Sequence, residues 1–406
     1  MNFLQFFVWG AWLITIANYW FGTKHWGKAE FGSVFMTLGI SSIFMPAITG
    51  IIADRWINAE KLYGILHVFA GLTLLFLPEV NEASTFVLVM QFAMIFYMPT
   101  IALSNSIAYK TLKNSGSVIL NDFPKIRVWG TIGFVAAMWT TNLSGNKATE
   151  YQFYISSVAS ILLGIYSFYL PKCPPDKNSS SKTLVESMGL NAFSLFKNKK
   201  IALFFCFAML LGASLQLTNM YGDLFLDTFK NIPEYSKLKV VENSTIIMSI
   251  SQISETLFIL AIPFFLKRFG IKKVMLISML AWVLRFGLLA YGNPAEGLWK
   301  IIVSCIVYGM AFDFFNVSGS LFIDTQTDSK IRSSAQGLFM MMVNGFGAIL
   351  GSYISAYVIE HFFTAPDKSF KWQEIWLCFA AYSLVVAILF AILFRHKHDP
   401  DLEVKH

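Results

Sequence analysis

Four ionisable side chains fall inside stretches of the chain that are otherwise apolar. They are Arg127, Glu255, Arg285 and Asp313. A charge inside a bilayer is costly, so such a residue usually faces a cavity or a partner and marks the path of a substrate or ion. Burial favours the neutral form of a carboxyl group, and a nearby cation favours its charged form. A carboxyl in such a cavity can therefore load a proton on one side of a membrane and release it on the other.

Uncharged polar and aromatic residues share helical faces with these groups. Residues three, four or seven apart lie on one face of a helix. The four sets with this spacing are Arg127 with Thr131 and Phe134, Gln216 with Asn219, Gln252 with Glu255, and Tyr308 with Phe312, which Asp313 follows directly. Each set offers a polar or aromatic face, which is typical of a cavity for a polar solute.

Most of these residues also have a structural interpretation. Amides bridge neighbouring helices in membranes, so Gln216 and Asn219 are about as consistent with helix packing. Phe134 and Phe312, taken alone, are more typical of core or lipid-facing rings. Arg127 lies near one end of its apolar stretch, from which a long side chain can reach the headgroups. Arg285 lies near the middle of a stretch, and a cavity role and a packing role are equally consistent with it.

Three further polar or small residues are interpreted as structural. His67 lies near the end of an apolar stretch and is predicted to have no role in a site. Gly347 and Gly351 are predicted to allow close packing of helices, because small residues four apart let backbones approach.

The composition indicates that the solvent of this chain is a bilayer. Of the 406 residues, 56% are hydrophobic and 14% are charged, and the mean hydropathy is +0.58. Soluble domains carry about 25% charged residues, and so apolar a surface would aggregate in water. The four cysteines are far apart, and no HExxH, GxSxG, Walker or GxGxxG motif occurs, which disfavours metal sites and enzymes. The net charge of +7 is spread between apolar stretches, which disfavours nucleic acid as a partner.

Twelve stretches are long enough to cross the membrane as helices, which takes about 20 mainly apolar residues. The first has no basic leader or small-residue cleavage site, so it is predicted to be a retained helix and not a signal peptide. The predicted helices are 3–22, 32–53, 62–79, 85–109, 126–145, 151–170, 201–222, 244–266, 273–292, 299–322, 334–358 and 374–394.

The positive charges predict the orientation and the domains. With both termini in the cytoplasm, about two thirds of the 31 Lys and Arg residues lie on that side. The Pro- and Ser-containing stretch 171–200 is predicted to be a cytoplasmic linker, with a short interfacial helix at 190–196. It separates two predicted six-helix bundles, 1–170 and 201–396, and a cytoplasmic tail follows at 397–406. A weak repeat of the corner at 50–61 near 263–273 is typical of transporters built from two related halves.

The corner at 50–61 resembles the GxxADRxxxxxK signature of the major facilitator superfamily, although the usual second glycine and basic cluster are missing. Longer segments, almost from end to end, resemble the bacterial nucleoside:proton symporter family of that superfamily. These segments are QFFVWGAWL (5–13), FMPAITGIIADRW (44–56), IRVWGTIGF (126–134), LQLTNMYG (215–222), SISQISETLFIL (249–260), YGMAFDFFNVSGS (308–320) and SAQGLFMMMVNGFG (334–347).

The resemblance implies an all-α, multi-pass protein of the bacterial inner membrane that takes up purine or pyrimidine nucleosides. The coupling ion is the proton, no cofactor is implied, and the protein is expected to act as a monomer. The matching family positions, which the resemblance places in the substrate cavity, are Arg127, Thr131, Phe134, Gln216, Asn219, Gln252, Glu255, Tyr308, Phe312 and Asp313.

A nucleoside suits these residue types. Amides and carboxylates match ribose hydroxyls, which both donate and accept, and a base stacked on an aromatic ring gains about 1–3 kcal/mol in comparable contacts. We expect the polar groups near Gln216, Asn219, Gln252 and Glu255, and the base against Phe134 and Phe312.

Asp313 is the predicted principal coupling group, with its charge modulated by a cation such as Arg127, and Glu255 is predicted mainly to bind substrate. The exchange of these two roles remains open. Asp54 and Arg55 are predicted to hold the outward-facing state closed. The alternative for this pair is a solvated loop contact of little energetic value.

Several rival functions share some of these features. The same fold can serve a sugar:proton symporter or a drug exporter. Competition of uptake by nucleosides or by hexoses distinguishes a nucleoside carrier from a sugar carrier. A multi-spanning enzyme would turn over substrate in detergent, where no gradient exists. A nutrient sensor would bind nucleoside without transporting it.

Overall fold

The computed structural model describes residues 1–116, 119–175, 190–328 and 331–397, and these residues are predominantly helical. Residues 176–189 of the predicted linker and residues 398–406 of the predicted tail lie outside the described residues. At the end of the linker, Leu190–Lys197 forms a short 3₁₀ helix.

The chain divides into two compact units, Met1–Leu190 and Asn191–His406. Each unit contains six spans. In the first unit they are α1 (Asn2–Gly10 continued by Asn18–Thr23), α2 (Lys28–Arg55), α3 (Ala59–Phe76), α4 (Ala83–Asn114), α5 (Ile119–Leu143) and α6 (Tyr151–Ser167). In the second they are α7 (Lys199–Asp227), α8 (244–269), α9 (271–290), α10 (Leu298–Gln326), α11 (Arg332–Phe362) and α12 (Trp372–Leu393).

The predicted number of spans is confirmed. In the described part of the chain, eight helical segments are long and apolar enough to cross a membrane. One of them, Ser244–Ala290, supplies both α8 and α9. Three spans are not among these eight segments, each for its own reason. The helix of α1 is interrupted, Arg127 lowers the apolar character of α5, and α6 has only 17 residues.

The first span differs from the continuous helix predicted at 3–22. Its α-helical turns end at Gly10, and a π-helical turn follows at Asn18–Thr23. Two hydroxyl groups take the place of backbone donors at this break. Ser156 Oγ donates to Val8 O at 2.6 Å, and Thr141 Oγ1 donates to Ala11 O at 3.0 Å. Side chains inserted into the carbonyl ladder interrupt a helix in this way, and a single-sequence pattern does not reveal them.

The eighth and ninth spans also differ from prediction, because no loop separates them. The helices run to within one residue of each other and change direction at Gly270, which has φ 75° and ψ 165°. Only glycine adopts this backbone conformation readily, since other residues carry a Cβ that clashes. Elsewhere the helices extend beyond the predicted apolar stretches, as α4 does to Asn114.

The two units repeat one pattern of helix pairing. In the first unit α1 packs on α5, α2 on α4, and α3 on α4 and α6. In the second, α7 packs on α11, and Ser254 of α8 donates to Ile306 O of α10. Lys272 at the start of α9 donates to Ala391 O of α12 at 2.9 Å. The pairs α1–α5, α2–α4 and α3–α6 thus recur six helices later, as expected for two related bundles.

Small residues allow the closest of these approaches. A Cβ on Gly347 would lie 2.6 Å from Met209 O, and a Cβ on Gly351 would lie 2.5 Å from Ala213 Cα. The predicted close packing at both glycines is confirmed. In the first unit, a Cβ on Gly10 would lie 2.5 Å from Phe134 O, so α1 and α5 are in backbone contact beside a predicted site residue.

Candidate functional site

A stack of aromatic rings forms the centre of the candidate site in the second unit. The rings of Tyr308 and Phe312, one helical turn apart on α10, are parallel within 2° with centroids 5.9 Å apart. Trp282 of α9 meets Tyr308 edge-on at 5.8 Å. Tyr308 is buried, whereas Phe312 is half-buried and lines a small cleft together with Trp282 and Asn316. The predicted pairing of Tyr308 with Phe312 on one helical face is therefore present.

Two carboxylates lie beside this stack. Asp313 of α10 is 4% exposed, and Glu255 of α8 is half-buried. Both are within electrostatic range of the Tyr308 hydroxyl, as is Arg285. Glu255 is brought close because α8 and α10 touch: a Cβ on Gly309 would lie 2.7 Å from Glu255 N. The structure thus gathers one ring system and two carboxylates, as a proton-linked polar site requires.

The predicted amide residues of the second unit lie on α7 and α8. Gln216 of α7 is 6% exposed, and its Oε1 is buried with no hydrogen-bond partner among the described residues. Asn219 and Gln252, on α7 and α8, are half-buried. A buried amide oxygen without a partner costs free energy unless a ligand or water satisfies it. Gln216 therefore has the acceptor that a ligand hydroxyl needs.

Arg285 is a buried cation that links these helices. Its side chain is 1% exposed, and its Nη1 donates to Ser304 O at 2.7 Å and to Ser251 Oγ at 3.3 Å. Its Nε donates to Thr218 Oγ1 at 3.3 Å. The guanidinium carbon lies 4.7 Å from the centroid of the Tyr308 ring. The sequence alone did not separate a cavity role from a packing role for this residue, and the structure places it against a ring of the candidate site.

The predicted residues of the first unit lie on α5. Arg127 is exposed and its guanidinium carbon lies 4.4 Å from the centroid of Phe6, while Thr131 is half-buried. Phe134 is buried and meets Trp9 of α1 edge-on at 6.3 Å. Arg127 and Thr131 therefore share one face of α5 with the Phe134 ring, which packs against Trp9 of α1.

Sequence reasoning missed Trp9 and Trp282 as candidates. The indole N–H of Trp9 is buried, and in the described part of the chain it has no hydrogen-bond partner. Both residues lie in apolar stretches of an aromatic-rich chain, where a site tryptophan has the same sequence surroundings as a lipid-facing one. Only their contacts with Phe134 and Tyr308 distinguish them.

Behind the first-unit residues lies a fully buried polar network centred on Gln5. Tyr63 OH donates to Gln5 Oε1 at 2.7 Å, and Gln5 Nε2 donates to Thr100 Oγ1 at 2.8 Å. The ring nitrogens of His67 contact Gln5 Oε1 at 2.9 Å and Ser160 Oγ at 3.0 Å. The interpretation of His67 as structural agrees with this placement, because its nitrogens are satisfied by helices of its own unit.

The predicted gating pair lies at the end of α2. Asp54 is exposed, and Arg55, the last residue of the helix, is half-buried. Just beyond, Glu60 is buried and accepts from Cys173 N at 2.8 Å, which holds the start of the linker against α3. Burial raises the pKa of the Cys173 thiol, and the negative charge of Glu60 raises it further.

Among the described residues, no group of three or more His, Cys, Asp or Glu side chains is arranged to hold a metal ion. The side chains of the candidate site offer hydrogen-bonding groups, stacked rings and carboxylates.

Comparisons with known proteins point to one family. The family model for the nucleoside H⁺ symporter matches residues 1–399. The nucleoside permease NupG of Escherichia coli (strain K12) is 48% identical over 399 residues, which are 98% of this chain and 95% of that protein. The xanthosine permease of the same organism is 47% identical over 407 residues, 100% of this chain and 97% of that protein.

Solved structures agree with these matches. The crystal structure of the nucleoside transporter NupG is 48% identical and superposes with a TM-score of 0.91 over 98% of both chains. A crystal structure of a POT family transporter is 13% identical, with a TM-score of 0.70 over 96% of this chain and 94% of that one. The second likeness shows the fold alone, which is of the major facilitator type.

Proposed function

This chain belongs to the nucleoside H⁺ symporter family, whose members are transporters and not enzymes, and we propose that it carries nucleosides into the cell together with protons. The observation that carries the proposal is the cluster in the second unit, in which the stacked rings of Tyr308 and Phe312 lie beside the buried Asp313. The proposed location is the inner membrane of a bacterium, with both termini in the cytoplasm and the monomer as the functional unit.

Each unit has its own set of proposed substrate-binding residues. In the second unit, Gln216 has a buried acceptor available for a ribose hydroxyl, and the amides of Asn219 and Gln252 lie on the same or the neighbouring helix. The half-buried ring of Phe312 supplies a face for the base. In the first unit, Arg127, Thr131 and Phe134 supply a second set of polar and aromatic contacts.

Asp313 is the proposed principal coupling group. It is almost fully buried, so protonation removes a charge whose desolvation is costly. Glu255 is half-buried and is assigned mainly to substrate binding, where a solvated carboxylate can accept hydrogen bonds from ribose hydroxyls. The charge of Asp313 is proposed to be modulated by a cation, for which Arg127 is the predicted candidate. Transport is proposed to proceed by alternating access, with Asp54 and Arg55 holding the outward-facing state closed.

Uptake into proteoliposomes tests the function as a whole. We expect an inwardly directed proton gradient to drive accumulation of labelled nucleoside above the external concentration. Excess unlabelled purine or pyrimidine nucleosides should compete, and hexoses should not. Uptake that is indifferent to the pH gradient would refute symport, and competition by hexoses alone would favour a sugar carrier.

The substitution Asp313→Asn tests the coupling assignment. It keeps the shape of the side chain and removes its proton, so we expect accumulation against a gradient to disappear while nucleoside binding persists. Asp324→Asn is the matched control, because Asp324 lies on the same helix in a 2.9 Å ion pair with Arg332 near the helix end. Proton-dependent accumulation by the Asp313→Asn protein would show that another group carries the proton, and a loss confined to Glu255→Gln would exchange the two roles.

A further inference from the structure

Arg285 is held by neutral groups from three helices. Its acceptors are Thr218 Oγ1 on α7, Ser251 Oγ on α8 and Ser304 O on α10, at 3.3, 3.3 and 2.7 Å. Arg285 itself lies on α9. A guanidinium is planar and has five donors in a rigid fork, so these bonds define its orientation. One side chain therefore sets the relative positions of α7, α8, α9 and α10 in the interior of this unit.

Two of these acceptors are adjacent in the sequence to residues of the proposed substrate site. Thr218 lies between Gln216 and Asn219 in the sequence of α7, and Ser251 directly precedes Gln252 on α8. A displacement of the guanidinium would be transmitted to both helices.

The contact with Tyr308 is the most direct. The Arg285 guanidinium carbon lies 4.7 Å from the ring centroid, and Trp282, one turn earlier on α9, meets the same ring edge-on at 5.8 Å. Tyr308 in turn lies parallel to Phe312. Cation–π and edge-to-face contacts both depend on ring orientation. The plane of Tyr308, and with it the stack that Phe312 shares, is thus determined from α9.

We propose that Arg285 is a positioning residue of the nucleoside site, which fixes the Tyr308 and Phe312 rings in the orientation that a base requires. The inference rests on the proposed function. A residue that only tied helices together would affect the amount and thermal stability of folded protein. A positioning residue also changes the substrate affinity of the protein that does fold.

Three variants separate these roles. Arg285→Gln removes the cation from the Tyr308 ring, and Arg285→Lys retains a cation but not the planar fork. Lys272→Gln is the matched control, because Lys272 lies on the same helix and its ammonium donates to Ala391 O of α12, whose neighbours in the sequence are not residues of the proposed site. Uptake kinetics in proteoliposomes and the thermal unfolding midpoint are measured for each, at equal amounts of folded transporter.

We expect KM for nucleoside to rise about tenfold or more in Arg285→Gln, since a desolvated cation–π contact and its associated hydrogen bonds are lost. The maximal rate should change less, and Arg285→Lys should recover part of the affinity. Lys272→Gln should lower the unfolding midpoint and leave KM unchanged. If Arg285→Gln and Lys272→Gln lower stability alike and neither alters KM, Arg285 is a packing residue and the inference is wrong.

A second route remains if Arg285→Gln yields no folded protein. The double substitution Thr218→Val with Ser251→Ala keeps the guanidinium and removes two of its acceptors, so KM should rise by a smaller factor. An unchanged KM in this protein would also overturn the inference. Absence of nucleoside uptake by the wild-type protein would instead overturn the proposed function, so the two failures are distinguishable.

Discussion

The contact between α8 and α10 makes Gly309→Ala a severe substitution. A Cβ at Gly309 would lie 2.6 Å from the carbonyl carbon and oxygen of Ser254 and 2.7 Å from Glu255 N. Non-bonded carbon atoms are comfortable at about 3.5–4.0 Å. The atoms that would be struck belong to the backbone, so no side-chain rotation relieves the clash. The two helices must therefore separate locally by about 1 Å.

This separation has a cost in stability and a cost in binding. Overpacking of a close interior contact destabilises a protein by roughly 1–3 kcal/mol. The hydrogen bond that the Ser254 hydroxyl donates to Ile306 O also joins α8 to α10, and it would be stretched as the helices separate. Glu255 and Tyr308 would move apart with the helices. Misplacement of positioned groups by about 1 Å can reduce rates by about a hundredfold, so we expect the efficiency of nucleoside uptake to fall by one to two orders of magnitude.

Gly287→Ala is the control for the loss of a helical glycine. Gly287 lies on α9 in the same unit, and a Cβ there would meet nothing within 4 Å. Alanine at such a position favours the helix by up to about 1 kcal/mol. The assay is thermal unfolding of the purified transporter, followed by KM and maximal rate in proteoliposomes. If Gly309→Ala unfolds at the wild-type temperature and transports with wild-type KM, the backbone contact between α8 and α10 is not as described and the reasoning fails.

Two further predictions concern the corner of the first unit where α2 ends and α3 begins. Asp54→Asn should reduce the transport rate more than the equilibrium affinity for nucleoside, because a gating residue acts on the conformational step. The control is Asp122→Asn, at an exposed ion pair with Lys125, which should change neither quantity. Equal losses of rate and affinity in the Asp54 variant would count against gating. The raised pKa of Cys173 predicts slow alkylation at neutral pH that accelerates as the pH rises, and Glu60→Gln should speed alkylation by removing a charge that disfavours the thiolate. Mass spectrometry after timed maleimide labelling measures this rate, and unchanged labelling in Glu60→Gln would contradict the assigned cause.

The spans were predictable from the sequence because a bilayer imposes a length and a composition on every helix that crosses it. That constraint acts residue by residue and needs no knowledge of neighbours. The breaks were less predictable for the opposite reason. The interruption after Gly10 depends on hydroxyls of Thr141 and Ser156, which are distant in the chain. Gly270 changes the direction of the helix within the gap that the predicted spans 244–266 and 273–292 had left between them.

The candidate site was predictable to a similar degree. Helical spacing placed Tyr308 and Phe312 on one face, and the structure has them stacked. Their relation to Glu255 was not predictable from spacing, since it depends on the close approach of α8 to α10 at Gly309. Trp9 and Trp282 were missed because an aromatic residue in an apolar span has no distinguishing local pattern.

The sequence by itself determined the solvent, the twelve spans and the few polar groups that a membrane interior tolerates only for a reason. Tertiary structure decided what each of those groups touches. Arg285 shows the difference most clearly: its charge inside an apolar stretch marked it as unusual, but only the packing of α7, α8 and α10 around it assigns its three hydrogen bonds and its contact with Tyr308. Hydropathy is a property of each residue in its solvent, whereas a contact is a property of two residues that folding brings together.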